Sequence, residues 1–392
     1  MKQTFVEVIR RLRADADKYF PMMAHELEMS MAILATLKIK TISQPLAVWL
    51  VGPPAIGKTT ILEIIKGHPD VLWRDDITAA AILSGAAGVD ESESLLPQLS
   101  DKTLVTPELA PLSKNKEAKT LLSYLTRLLD GNGMVRHTGY GRRGFSEAQR
   151  WNWIGAIVDV TKPLAQLMGT MGHRVMFIRM KKPVLTVDRR AQALISVAKT
   201  RPYKEKLEIM RDCVNAFNQV LNKFYPDGIS WRRDNDDELT MAFLSKLAVL
   251  MVQLRGIFEP EGRGQFRLLP PEDEKRAFWG LYAAMQGFAL INGRTHVTLD
   301  DLRIAVRLTL DSGPIERAEI LKLMVGNKVV STPEIVAACG CSVASACTYI
   351  DKMIMLGIGE LVDVHGNTKP FKGIKLKGDY EWLRSKEIQR FL

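Results

Sequence analysis

The sequence predicts an α/β protein built around a parallel sheet, and three observations carry that expectation. Strand-like apolar runs alternate with amphipathic helical runs between about Pro45 and Pro183. The first run, Leu46 to Val51, has the continuous apolar character of a strand buried on both faces. It stops at Gly52 and two prolines, and an apolar helical pattern resumes after Lys58, so strand, tight loop and helix follow one another directly.

The elements follow in order. Residues 1–45 read as two N-terminal helices, with Pro21 separating FVEVIRRLRADADKYF from MAHELEMSMAILATLKIK. In the core, 46–184, strand Leu46 to Val51 leads into helix Thr59 to Lys66. Val71 to Ile77 is a second strand, Ala79 to Leu83 a short helix closed by Gly85, and Thr103 to Thr106 a short strand. Helix Lys116 to Leu129 ends at Asp130 and Gly131; Trp153 to Val160 and Val175 to Met180 are further strands. Residues 185–312 are expected to be helical throughout, with breaks at Pro202, Pro226 and Glu259 to Pro271. That block ends in two helices, the first stopped by Gly293 and the second capped by Thr298 with Asp301. From 313 to 379 come a helix from Ile315, a second opening at Ser331-Thr-Pro-Glu, a third from Ser342 to about Leu356, and a hairpin turning at His365. That is a winged-helix order. A short amphipathic helix, 380–392, closes the chain.

The loop after the first strand matches G-x-x-x-x-G-K-[ST] position by position: Gly52, Pro53, Pro54, Ala55, Ile56, Gly57, Lys58, Thr59, with Thr60 next. Glycines at both ends let the backbone curl into an anion nest, and the helix that follows adds its positive end. Lys58 would reach the β- and γ-phosphates of ATP, and the Thr59 hydroxyl would hold Mg²⁺.

Such a loop needs an acid at the end of a nearby buried strand. KTLVTPEL supplies Glu108 for Mg²⁺ and for the attacking water. Two acids are usual there; Pro107 occupies the first place, so Glu108 does both jobs or Asp75 or Asp76 assists. The strand WIGAIVDVT carries Asp159 and Thr161 to its carboxyl end. Arg174 precedes the next strand, where an arginine can reach a neighbouring subunit's nucleotide; Arg179 is the weaker candidate. Between Asp130 and Trp153 lies GNGMVRHTGYGRRGFSEAQRW, holding Arg136, His137, Tyr140, Arg142, Arg143 and Arg150 against one acid, Glu147. It reads as a basic hairpin with guanidinium groups for phosphates and a tyrosine for stacking, or as a solvated basic loop.

Composition narrows the partners. Over 392 residues the formal net charge is +10, which favours a polyanion such as DNA. Of the four cysteines, Cys339 and Cys341 flank Gly340 without a second pair at zinc spacing, so thiols in a reducing compartment are expected. No signal-like segment and no 18-residue apolar run occurs, and the expectation is a cytoplasmic protein with no membrane partner.

The order GPPAIGKT, LVTPEL, VDVT, HRVMFIRM resembles an AAA+ ATPase. GFALINGRTHVTLDDLRIA resembles the AAA+ lid, in which Arg276 stands where a second sensor arginine lies. The basic hairpin is similar to the pre-sensor hairpin of the branch holding MCM replicative helicases and viral superfamily-III helicases. MCM-like AAA+ proteins of phages and mobile elements share a similar Leu83-Ser-Gly85 and a similar Gly172-His-Arg174. The resemblance implies an AAA+ core, a helical lid with an insert at about 188–261, a winged helix, a hexameric homo-oligomer, DNA as ligand and replication proteins as partners. Lys58, Glu108, Thr161, Arg174 and Arg276 would be the catalytic set, and Arg136, His137, Tyr140, Arg142 and Arg143 would grip DNA. The sequence departs from the pattern in its single acid, in the insert, and in lacking a large DNA-binding domain ahead of the ATPase part.

Three functions stay open from the sequence. One is a ring-forming DNA motor, a helicase or translocase for replication of a mobile element. Another is an ATP-switched DNA-binding assembly factor such as a helicase loader or transposition regulator. The third is a protein-remodelling ATPase whose winged helix docks a partner.

Overall fold

The computed structural model describes residues 2–21, 23–83, 93–109, 118–138, 141–170, 172–181, 186–198, 201–262, 265–364 and 371–392. The chain divides into two units, Met1–Asp236 with Ala283–Asp301, and Asp237–Tyr282 with Leu302–Leu392.

The first unit is α/β. Its strands are β1 (Leu46–Val51), β2 (Val71–Trp73), β3 (Lys102–Thr106), β4 (Met134–Thr138), β5 (Gly141–Phe145), β6 (Trp151–Ile157) and β7 (Val175–Arg179). Five of them form one sheet in the order β2-β3-β6-β1-β7, every pair parallel. The step from β1 to β2 runs toward one edge, while β2 to β3, β3 to β6 and β6 to β7 run toward the other. Right-handed crossovers therefore put helix Lys58–Ile65 on one face and helices Ala79–Ile82, Leu95–Gln98, Ala118–Leu129 and Lys162–Thr170 on the opposite face. The packing agrees. Trp49, Val51, Trp153 and Phe177 share a buried cluster with Ile82, Leu96, Leu125 and Leu164. On the other face, helices Ala24–Ala35 and Lys58–Ile65 lie against β6. There the buried Asn152 amide donates to Ile33 O (2.7 Å) and Thr36 Oγ1 (2.9 Å), tying the N-terminal helices to the sheet.

Two strands differ from expectation. β2 stops at Trp73 rather than Ile77. Trp73 Nε1 donates to Asp75 Oδ1 (2.8 Å) and Asp76 Oδ1 accepts from the Ile77 N–H (2.8 Å), so the two acids turn the chain out of the ladder. β6 runs Trp151–Ile157 rather than Trp153–Val160, because its partner β3 already pairs at Trp151 and β1 ends opposite Ile157.

The second unit holds helices Glu238–Arg255, Leu302–Asp311, Ile315–Gly326, Thr332–Cys339 and Val343–Met355, and the start of Glu274–Ile291. Ser331 caps helix Thr332–Cys339 in a box with Glu334, Gly340 ends it at φ 59°, and Ser342 caps the next helix. Strands β10 (Val330–Ser331), β11 (Gly359–Val364) and β12 (Phe371–Leu376) form an antiparallel sheet in the order β10-β12-β11; the expected turn at His365 lies outside the described residues. The stretch 185–312 is not helical throughout. A hairpin of β8 (Phe258–Gly262) and β9 (Gln265–Leu268) occupies the break, since Pro260 and Gly262 oppose a helix. The Lys352 ammonium sits over the ring of its Phe266, 4.4 Å from the centroid. The tail is not one helix over 380–392 but a 3₁₀ segment, Gly378–Arg384, and one α turn, Lys386–Gln389, because Ser385 leaves the helical region at ψ 150°. Among the described residues, no single helix is long and apolar enough to cross a membrane.

His68, buried below β2, generates a prediction. Burial pushes its pKa down from 6.5 to about 4; Asp70 opposes that shift, and Lys38 and Lys102 add to it. The depressed value means that stability is present above pH 6.5 and is lost as the pH falls toward 4, by at most about 3 kcal/mol. His68 Nδ1 accepts the Asp70 N–H (3.2 Å), which an asparagine oxygen can also do. Between pH 6.5 and 4, thermal melting of the wild type should fall more steeply than that of His68→Asn.

Candidate functional site

The site is built on the carboxyl edge of the parallel sheet. Connections leave adjacent strands β1 and β6 toward opposite faces, so a crevice opens between their carboxyl ends. The 52–57 loop starts there. Gly52 N–H donates to Ile157 O (3.2 Å), and a Cβ on Gly52 would come within 2.8 Å of Met180 O. Only glycine fits between the ends of β6 and β7. Ala55 (φ 59°) and Gly57 (φ 105°) both take left-handed backbone conformations, and Gly57 is the N-cap of helix Lys58–Ile65. A left-handed non-glycine residue is uncommon and strained. Here it curls the loop in the manner of an anion nest at a helix N-terminus.

Lys58 is buried, and its Nζ donates to the carbonyls of Gly52 (2.6 Å) and Pro53 (3.0 Å). Burial lowers its pKa, and the negative charge of Glu108 works against that shift. Lys58 and Glu108 thus lie at the same, carboxyl edge of the sheet and feel each other's charge, although they follow β1 and β3, strands that β6 separates. Glu108 is exposed just beyond β3, pinned by Leu109, whose N–H donates to Ala156 O (2.9 Å) and whose side chain fills the space left by Gly155. Thr59 is exposed on the first turn of the helix. Its hydroxyl and the Glu108 carboxylate are hard oxygen donors of the kind Mg²⁺ takes, and the curled loop suits the triphosphate that carries it. Among the described residues no cluster of three or more His, Cys, Asp or Glu side chains forms a metal site.

The other expected residues fall in several places. Asp159 and Thr161 are exposed beyond the carboxyl end of β6, beside β1, and Thr161 O accepts from the Ala165 N–H (2.9 Å) at the start of a helix. Arg179 pairs in register with Val51, next to the loop, with its guanidinium over Phe177. Arg174 lies on the opposite, amino-terminal edge of the sheet, before β7, paired with Asp130. Arg276 is half-buried near the start of helix Glu274–Ile291, in the second unit.

The basic stretch does form a hairpin, β4 with β5, whose tip, including Tyr140, lies outside the described residues. The register sorts its cations by face. Arg136 pairs with Arg143, and His137 with Arg142, so the four split two and two. Arg136 sits over the Tyr124 ring (5.6 Å to the centroid). Among the described residues no carboxylate is paired with Arg136, Arg142 or Arg143, and two arginines directly opposite repel unless an anion neutralises them.

In the C-terminal part, three lysines of the β12 strand and the residues after it are in ion pairs. Lys372 pairs with Asp351, Lys375 with Glu360 (3.0 Å) and Lys377 with Asp379 (3.1 Å). Thr348 bonds back to Ala344 O (3.0 Å), and Ser342 to Ser345 (3.0 Å).

Sequence reasoning missed the residues that support the loop from far along the chain. Met23 packs directly on Gly57, where a Cβ would meet its Cε at 2.2 Å. Tyr203 OH donates to Thr60 Oγ1 (3.3 Å), and Arg211 holds Glu63 and its carbonyl (2.8 Å). No local motif marks these positions.

Gly57→Ala should destabilise the fold by about 1–3 kcal/mol, from backbone strain together with the Met23 clash. In thermal melts, Met23→Ala added to Gly57→Ala should recover the steric part of that loss and leave the backbone part.

In comparisons with known proteins, no protein-family model matches the chain and no curated protein matches it.

Proposed function

We propose that the chain is an AAA+ ATPase, a ring-forming motor acting on DNA and resembling the MCM-like helicases of mobile elements. The observation that carries this reading is a curled loop at a helix N-terminus on the carboxyl edge of the sheet, with the Lys58 ammonium held in it and Glu108 following β3 on that same edge. On this reading the second unit supplies part of the lid and the winged helix.

The chemistry follows from the residues. The Lys58 ammonium exchanges the Gly52 and Pro53 carbonyls for the β- and γ-phosphate oxygens of ATP. Glu108 orients the attacking water and takes its proton. Thr59 and Glu108 would hold Mg²⁺, which when bound withdraws charge from the phosphate oxygens. Thr161 sits one strand away to sense the terminal phosphate. Arg174 is on the wrong edge to serve its own loop and acts on a neighbour's nucleotide; Arg276 is the second sensor. The hairpin arginines hold the DNA backbone, which relieves the repulsion between Arg136 and Arg143.

One observation favours a second reading, the ATP-switched assembly factor. Pro107 stands where a first acid would, leaving Glu108 alone after β3, and a single acid suits slow hydrolysis.

The test is ATP turnover with and without single-stranded DNA. A motor should be stimulated by DNA, lose turnover in Lys58→Ala, and lose about 10²–10⁴-fold in Glu108→Gln. Arg142→Ala with Arg143→Ala should abolish the stimulation and lower the salt dependence of DNA binding by about 1.4 in the log–log slope. Full stimulation in that double variant sinks the motor reading. Slow, unstimulated turnover with ATP-dependent DNA binding establishes the switch instead.

A further inference from the structure

The amino-terminal edge of the sheet holds a two-pronged ion pair. Arg174 Nε donates to Asp130 Oδ1 (3.0 Å) and Nη2 to Oδ2 (2.7 Å), while Nη1 donates to Gly172 O (2.8 Å). The side chains are 12% and 25% exposed, so the guanidinium is turned inward. β7 runs parallel to β1, with Val175 opposite Ala47 and Arg179 opposite Val51. Arg174 is therefore level with the start of β1, about 20 Å of strand away from the loop of its own chain.

We propose that Asp130 is a positioning residue for Arg174. Its carboxylate keeps the guanidinium inside its own subunit until the terminal phosphate bound in the loop of a second copy of this chain displaces it. This rests on the nucleotide reading above. A guanidinium fork matches a carboxylate or a phosphate in the same planar way, so the two anions compete for one set of N–H groups. Assembly on nucleotide then exchanges one ion pair for another, and the strength of the first sets how readily copies engage. Asp130 ends helix Ala118–Leu129, whose Arg127 donates to Gly133 O (2.9 Å) at the base of the β4–β5 hairpin. The acid is thus anchored to a helix end rather than to a loose loop.

The experiment is turnover per chain against chain concentration, with the full-length protein. Asp130→Asn keeps the shape and removes the charge, so the half-activating concentration should fall about fivefold, equivalent to about 1 kcal/mol. Asp130→Glu, which keeps the carboxylate, should stay with the wild type. Arg174→Ala should lose turnover at every concentration, and adding Asp130→Asn to it should change nothing further, since the acid acts only through Arg174. Thermal melting checks that each variant folds, and Asp130→Ser replaces Asp130→Asn should the latter not fold. The proposal is overturned if Asp130→Asn loses turnover as Arg174→Ala does. It is overturned equally if the concentration profile is unchanged and only the melting temperature falls. Equal turnover in wild type and Lys58→Ala would mean that the nucleotide reading itself has failed, and this inference with it.

Discussion

The double pairing of β1, with β6 on one side and β7 on the other, is the constraint on which the rest of the first unit depends. All six residues of β1 are buried, and Trp49 is held edge-on against Trp153 (5.2 Å between centroids) and beside Phe177. A slip of one residue would turn Trp49 to the wrong face and expel Leu46, Val48 and Leu50 from the other. With β1 locked, both sides of the loop entrance are locked too. Gly52 N–H bonds to the end of β6, and the Met180 N–H bonds to Val51 O (2.8 Å). The curl at Ala55 and Gly57 is tolerated because its two ends cannot move: one is strand and the other is helix.

The same sheet order sorts the chemistry by edge. Strand ends on the carboxyl side carry Glu108, Asp159, Thr161 and Arg179 beside the loop, while Arg174 and Asp130 meet on the amino side. A parallel sheet makes this separation unavoidable, because every strand presents the same end to the same edge. Arg174, which precedes β7, is therefore separated by the length of a strand from the loop that follows β1 in its own chain.

Net positive charge is distributed unevenly in its availability. In the C-terminal sheet and its helices, Lys372, Lys375 and Lys377 each have an acid within ion-pair distance. In the β4–β5 hairpin, Arg136 faces Arg143 across the strands, and among the described residues no carboxylate pairs with either. Exposed ion pairs contribute little to stability, but they remove lysines from the pool that meets a polyanion without competition. The hairpin therefore presents cations that no described carboxylate pairs, whereas the C-terminal helices expose Val343 and Met355.

How much of this was legible in the sequence divides along the range of the interactions. The strand Leu46 to Val51, the glycine loop, the hairpin of arginines, and the caps at Ser331, Gly340 and Ser342 are written locally, in side-chain periodicity and in residues that favour one backbone conformation. The sequence by itself determined those, together with the acid at Glu108. Where β2 and β6 end, the hairpin at 258–268 and the broken tail depended on partners and side-chain turns that local pattern does not reveal. Only the tertiary structure decided that Lys58 and Glu108 lie at the same edge of the sheet, that Met23 and Tyr203 support the loop, and that Asp130 holds Arg174. The reason is physical. Strand order, face and edge arise from hydrogen bonds and packing between segments tens to hundreds of residues apart, and no short stretch carries the energy of those contacts.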